Sequence, residues 1–331
     1  LIYSSKVYKT SDIYSVAMLY NINMKKKKIG LALGSGGAKG LSHIGVLKVL
    51  EREGIEVSYI SGSSAGALIG GLYAKGYSAK DLEKLALEIG KNKEEFYKLF
   101  DFSKSLQGII KGEKILEYLD NILEGTLFSN LKIPFISLAV DLITGEKVII
   151  NEGKVSEAIR ASISIPVIFQ PYPWKDKLLI DGGVLSPVPV KELREIYKPD
   201  IIIGVSLHKR TNWKPKKEIQ IDIPYQPSNI TEKITYKMSQ IKLLKEFQQR
   251  LNPLLNPSLF EVLMQTIDIM NYELENQNLK NADLVIIPEV QNFGTFDFDK
   301  ASDIIVLGEK AMEEKLDSLI KLIKKKKFIF F

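Results

Sequence analysis

Cysteine is absent from the 331 residues. That excludes a disulfide framework, a thiolate metal site and a cysteine nucleophile. Histidine occurs twice, as His43 and His208, which is too few for a multi-histidine metal centre. No run of about 18 apolar residues occurs, so no segment reads as a membrane-spanning helix. Residues 1–23 carry Ser, Lys, Thr, Asp and Asn throughout and lack the long apolar stretch of a secretory signal. The expected location is therefore cytoplasmic.

What remains is ordinary in bulk: 45% hydrophobic and 26% charged residues, the balance of a soluble globular chain. The net charge of +6 comes from 46 basic and 40 acidic residues. Eight of the lysines sit in two runs, Lys25 to Lys28 and Lys324 to Lys327, and the rest of the chain holds 38 basic against 40 acidic residues. A nucleic-acid face would spread its cations over one surface, so nucleic acid is not an expected partner. Short lysine runs beside apolar residues suit either a solvated end or peripheral contact with an anionic membrane. Residues 1–24 read as an extension, with Met24 as the expected natural start. Residues 25–322 read as one domain and residues 323–331 as a basic, aromatic tail. Oligomeric state is not legible.

The pattern along the chain predicts a strand over 28–33, a glycine-rich turn over 34–37 and a helix over 38–52. A strand over 57–61 and a small-residue helix over 65–75 follow. Strand, helix, strand, helix at this spacing opens a parallel α/β sheet. Amphipathic helical pieces occupy 78–125, and strands are expected at 133–141 and 147–151, joined by a turn at Thr144-Gly145. Further on come a helix over 155–163, a strand over 178–180, a helix over 188–196 and an apolar strand over 201–207. A polar loop over 209–228, helices near 229–250 and 258–278, a strand over 283–287 and a helix over 299–322 complete the reading.

Three short motifs carry the chemistry. Gly62-Ser63-Ser64-Ala65-Gly66 fits G-x-S-x-G and falls on a strand-to-helix turn. Such a turn lifts a serine hydroxyl above the sheet edge, with a helix N-terminus behind it. Gly34-Ser35-Gly36-Gly37-Ala38-Lys39-Gly40 frees backbone N–H groups to face an anion. It is not a P-loop, because Lys39 is followed by Gly40 and Leu41, and Lys39 takes the sixth position where a dinucleotide fingerprint needs glycine. An oxyanion hole one βα unit before the nucleophile fits better. Asp181, at a strand end before Gly182 and Gly183, can point a carboxylate at a neighbouring strand end. A plain Asp-Gly turn would look the same.

Taken together, the three motifs resemble the patatin-like phospholipases over roughly residues 28–205. The segment Ala161-Ser162-Ile163-Ser164-Ile165-Pro166 resembles the family's stretch before the aspartate, and Ala282 to Pro288 resembles its last strand. The family's glycine-rich loop usually reads G-G-G-x-Arg/Lys-G, and here Ser35 replaces the first of its three consecutive glycines. The resemblance implies a three-layer α/β/α fold with a central, largely parallel sheet and helical insertions. It implies a Ser64–Asp181 dyad, with Ser64 as nucleophile, Asp181 as general base and the N–H groups of Gly36 and Gly37 as oxyanion hole. Gly34, Ser35, Lys39, Gly40, Gly62, Gly66, Gly182 and Gly183 support the site. The implied activity is hydrolysis of a lipid acyl ester through an acyl-enzyme, with no metal or organic cofactor.

Alternatives stand beside this expectation. Ser64, Asp181 and His208 follow the chain order of an α/β-hydrolase triad, although that fold normally places several strands before its nucleophile. A non-catalytic lipid- or anion-binding regulator would use the same scaffold. His43 reads as a structural histidine inside the first helix. Lys39 reads equally as an anion ligand or a solvated first-turn residue, and Asp141 as a turn residue beside Thr144. Leu259, Phe260, Leu263, Ile267 and Met270 fit a lid or a packed face.

Overall fold

The structure is a computed structural model that describes residues 26–92, 98–102, 109–209 and 259–325. The expected extension, the helix near 229–250 and most of the polar loop and of the tail lie outside these residues. Among the described residues, eight strands form one mixed sheet. These are β1 (Ile29–Leu33), β2 (Tyr59–Ser63), β3 (Phe135–Asp141), β4 (Lys147–Ile150), β5 (Tyr172–Trp174), β6 (Lys177–Asp181), β7 (Ile201–Val205) and β8 (Leu284–Ile286). The order β3-β2-β1-β7-β8 is parallel throughout, while β4, β5 and β6 join antiparallel. β5 was not expected from the sequence. It is three residues long, and Pro173 at its centre hides the strand pattern.

Among the described residues the α-helices are α1 (Ser42–Arg52), α2 (Ala65–Lys75), α3 (Ala79–Lys91), α4 (Glu113–Leu123), α5 (Val155–Ser162), α6 (Val190–Tyr197), α7 (Leu259–Asn278), α8 (Ala301–Glu313) and α9 (Leu316–Lys324). The expected helix over 299–322 is two helices. Only a short break at Glu314 and Lys315 separates them, and both residues suit a helix interior by composition, which masks the break.

Alternation along the central strands explains the layers. Ile29, Leu31 and Leu33 of β1, with Ile201, Ile203 and Val205 of β7, face one core shared with α1, α2 and α8. Ala32 and Ile202 face the other side, against Val190 and Leu193 of α6. Strands covered on both faces read as continuous apolar runs, as these do.

The register of β3 positions the site. β2 pairs with Phe135 through Leu138, and β6 pairs with Ala139 through Asp141. β4 pairs with Ser137 through Val140, overlapping both, so it takes the opposite edge. β2 and β6 therefore lie on one edge of β3 and run toward each other. Their carboxyl ends meet where Ser63 faces Leu138 and Asp181 faces Ala139.

Candidate active site

Ser64 follows directly on that meeting point. Its backbone sits at φ 54° and ψ −120°, a conformation that side-chain-bearing residues rarely adopt. The geometry holds because both flanking glycines are needed for space. A Cβ at Gly62 would run into the Gly66 carbonyl, and one at Gly66 into the Leu33 carbonyl. α2 therefore starts hard against the end of β1, and Ser64 caps it. The Ser64 N–H donates to Ser162 Oγ over 2.8 Å.

Asp181 ends β6 and is 5% exposed. Its Oδ1 accepts the Gly183 N–H over 2.7 Å, and its own N–H donates to the Ser164 carbonyl over 2.9 Å. Burial pushes the carboxyl up to about 6, against lowering by the Ser64 side chain and the Gly183 N–H. The Ser64 hydroxyl is thus within hydrogen-bonding reach of the carboxyl. Oδ2 is buried and completes no well-aligned hydrogen bond among the described residues.

The glycine-rich loop lies on the same side. The Gly34 N–H donates to Val205 O over 3.0 Å and the Ser35 N–H to Pro187 O over 2.8 Å, while the Ala38 N–H donates to Thr295 O over 2.8 Å. Between them Gly36 and Gly37 turn through φ 155° and 57°, and their N–H groups meet no acceptor among the described residues. Positive φ at consecutive residues calls for glycine. Gly40 lies one turn on, against Ala65, and Gly182 lies against the Leu138 carbonyl.

Several supports carried no clear signal in the sequence. His43 is fully buried, with Nε2 2.8 Å from the Gly34 carbonyl, and burial lowers its pKa to about 4. The neutral ring donates to that carbonyl and fixes the loop. Arg160 is 2% exposed, and burial lowers its pKa to about 10. It donates to the carbonyls of Lys111, Gly112 and Gln170 and to Ser164 Oγ. It therefore braces the 162–164 segment, which touches both Ser64 and Asp181. The one available cue was a cation on the buried face of a short amphipathic helix.

Lys39 is not solvated. It is 7% exposed, and its Nζ lies 3.1 Å from Asp268 Oδ2 on α7. His208 also turns to α7, with Nδ1 2.8 Å from Glu275 Oε1 and Nε2 3.4 Å from Asp268 Oδ1. The triad alternative places the ring against Asp181 and Ser64, but its contacts are with these two carboxylates instead. Asp141 is the expected turn residue, accepting from the Ile143 N–H and the Thr144 hydroxyl. On α7, Leu263 and Ile267 are half-buried and Met270 is exposed; of the Leu259 and Phe260 side chains nothing is described.

Residues 31–194 match the family model described as patatin-like phospholipase. These residues belong to that family. An uncharacterized NTE family protein of Mycobacterium tuberculosis is 37% identical over 187 residues, covering 55% of this chain and 49% of that protein. A protein named lysophospholipase NTE1 from Scheffersomyces stipitis is 26% identical over 287 residues, covering 86% of this chain and 18% of that protein. The chain thus spans about half the length of the mycobacterial relative and less of the yeast one. Among solved structures, VipD from Legionella pneumophila aligns with a TM-score of 0.44 at 14% identity, covering 89% of this chain and 67% of that one. The patatin-like match ends at Arg194, so β7, α7 and β8 lie beyond it. No helix among the described residues is long and apolar enough to cross a membrane.

Proposed function

We propose that this chain hydrolyses lipid acyl esters, as a phospholipase A or lysophospholipase, with Ser64 as nucleophile and Asp181 as general base. The single observation behind this reading is the convergence of Ser64 and a buried Asp181 at the meeting ends of β2 and β6. The family match and the name of the yeast relative support the lipid class.

A free carboxylate with a pKa near 4 is a weak base for a hydroxyl. Burial raises Asp181 to about 6, which strengthens it and still leaves it ionised at neutral pH. Asp181 takes the Ser64 proton as Oγ attacks the ester carbon. The N–H groups of Gly36 and Gly37 receive the oxyanion, each worth roughly 3 kcal/mol in such sites. The alcohol or lysolipid leaves with the proton from Asp181. Water then attacks the acyl-enzyme, again with Asp181 as base, and releases the fatty acid. The lysines near the chain ends suit transient contact with an anionic lipid surface.

The test is hydrolysis of p-nitrophenyl butyrate and a lysophospholipid, with fluorophosphonate labelling, by wild type, Ser64→Ala and Asp181→Asn. Wild type should label and turn over, and both variants should lose at least about 10³-fold. A wild type that neither labels nor hydrolyses would point to a binding role instead.

A further inference from the structure

Two buried polar atoms of the site have no settled protein partner. Ser35 is 3% exposed, and its Oγ makes no hydrogen bond among the described residues. Asp181 Oδ2 is the other. A Cβ at Gly183 would stand 2.9 Å from Ser35 Oγ and 3.0 Å from Asp181 Oδ1, so the Ser35 hydroxyl and the Asp181 carboxyl both lie against the Cα of Gly183. The bare Cα of Gly183 is thus the floor of a cradle whose walls are the Ser35 hydroxyl and the Asp181 carboxyl. The Ser35 backbone is already committed, through its N–H to Pro187 O. Its side chain is therefore spare and buried against Gly183, two residues after the base. The same loop then offers its next two N–H groups, those of Gly36 and Gly37.

From this we infer that Ser35 and Asp181 together form the binding site for the water that hydrolyses the acyl-enzyme. The inference rests on the Ser64–Asp181 reading and goes beyond it. Buried water is held by otherwise unsatisfied polar groups, typically two to four of them. During acylation Asp181 has the Ser64 hydroxyl as its proton donor. Once Ser64 is esterified that hydroxyl is gone, and the carboxyl needs a new donor. Ser35 Oγ accepts one O–H of the water, and Asp181 accepts the other. The water oxygen bonds to the acyl carbon as its proton passes to Asp181. The Ser64 Oγ–carbon bond then breaks, and the proton on Asp181 goes to Ser64 Oγ. The products are a free fatty acid and the original enzyme, so the balance closes with water as the one co-reactant. Ser35 touches the reacting water in this scheme and is a catalytic residue of the second half-reaction only. A glycine in place of Ser35 offers no hydroxyl at this corner.

The experiment is stopped-flow release of p-nitrophenol from p-nitrophenyl butyrate by wild type, Ser35→Ala and Ser35→Gly, with intact-mass detection of butyrylated Ser64. Acylation is read from the burst and from the rate of fluorophosphonate labelling, deacylation from the steady phase and the decay of the acylated mass. Both variants should acylate within about threefold of wild type and deacylate roughly tenfold more slowly, so acyl-enzyme accumulates. Normal labelling also shows that the variant is folded. Equal slowing of both steps would make Ser35 a mere structural prop and overturn the inference, as would unchanged deacylation in both variants. Absence of any acylated or labelled Ser64 in wild type would remove the dyad reading itself, and this inference with it.

Discussion

The imidazole Nδ1 of His208 lies 2.8 Å from Oε1 of Glu275, which joins the segment after β7 to α7 in the protein interior. Ser206 reaches the same carboxylate through its hydroxyl, and Asp268 links His208 to Lys39 of the glycine-rich loop. Four charged groups thus alternate in sign from the glycine-rich loop to α7. Burial alone would lower the His208 pKa, but the charges of Glu275 and Asp268 outweigh it and raise it to about 9. Asp268 is moved the other way. Burial raises it, yet His208 and Lys39 win and hold it at about 2. The cluster places a structural load on His208, with no demand on it as a base.

His208→Gln should therefore leave Ser64 labelling within about tenfold of wild type while lowering stability. Removing one partner of a buried ion pair typically costs about 3 kcal/mol. The pH dependence has a definite sign. The folded pKa of His208 lies above its ordinary value of 6.5, so its contribution is complete below pH 6.5 and is lost as pH rises through about 9. Wild-type Tm should fall over that window, and the fall should be smaller in His208→Gln. A variant that keeps its fold but loses labelling altogether would restore the triad.

Asp181 gives a pH signature of the same sign in a lower window. Its folded pKa of about 6 lies above the ordinary 3.8, so the folded protein holds the proton more tightly than the unfolded chain. Stability from this group is lost as pH rises from about 4 to about 6, and the full cost stands at neutral pH. Asp181→Asn should therefore be more stable than wild type at pH 8, by up to about 3 kcal/mol, and lose that advantage below about pH 4. In the active protein, kcat/KM should rise with a single ionisation near pH 6 on the acid limb. An acid limb near pH 4 would mean that the base is solvated and that Asp181 is not acting as supposed.

Seven of the eight strands, all but β5, and the three motifs were legible because backbone requirements leave residue-specific traces. Gly62 and Gly66 mark the close passage of α2 against β1, and Gly36 and Gly37 mark positive φ. The meeting of β2 and β6 was not legible, because it depends on the register of β3 and on β4 taking the opposite edge. Nor was the role of Lys39. Its partner Asp268 lies 229 residues away on α7, whose pattern fits a packed face or a lid equally well. His208 fitted the order of a triad in one dimension and turned to Glu275 in three. Such pairings join residues far apart in sequence, and local periodicity has no term for them.

The backbone of Ser64 is strained for the sake of its side chain. At φ 54° and ψ −120° a residue with a Cβ is strained, typically by about 1 to 3 kcal/mol. Glycine adopts such angles without that penalty. Ser64→Gly and Ser64→Ala should both lack acyl transfer, so any difference between them reports on backbone rather than chemistry. The Ser64 N–H to Ser162 Oγ hydrogen bond survives in each. The glycine variant should unfold at a higher denaturant midpoint than both the alanine variant and wild type, by an amount equivalent to about 1 kcal/mol once its greater unfolded-state entropy is set against the relief. If Ser64→Gly instead falls below Ser64→Ala, the turn is held at no appreciable strain. With the predicted order, the protein keeps a less stable residue at the one position where a hydroxyl must stand above the sheet edge, and function rather than folding explains the serine.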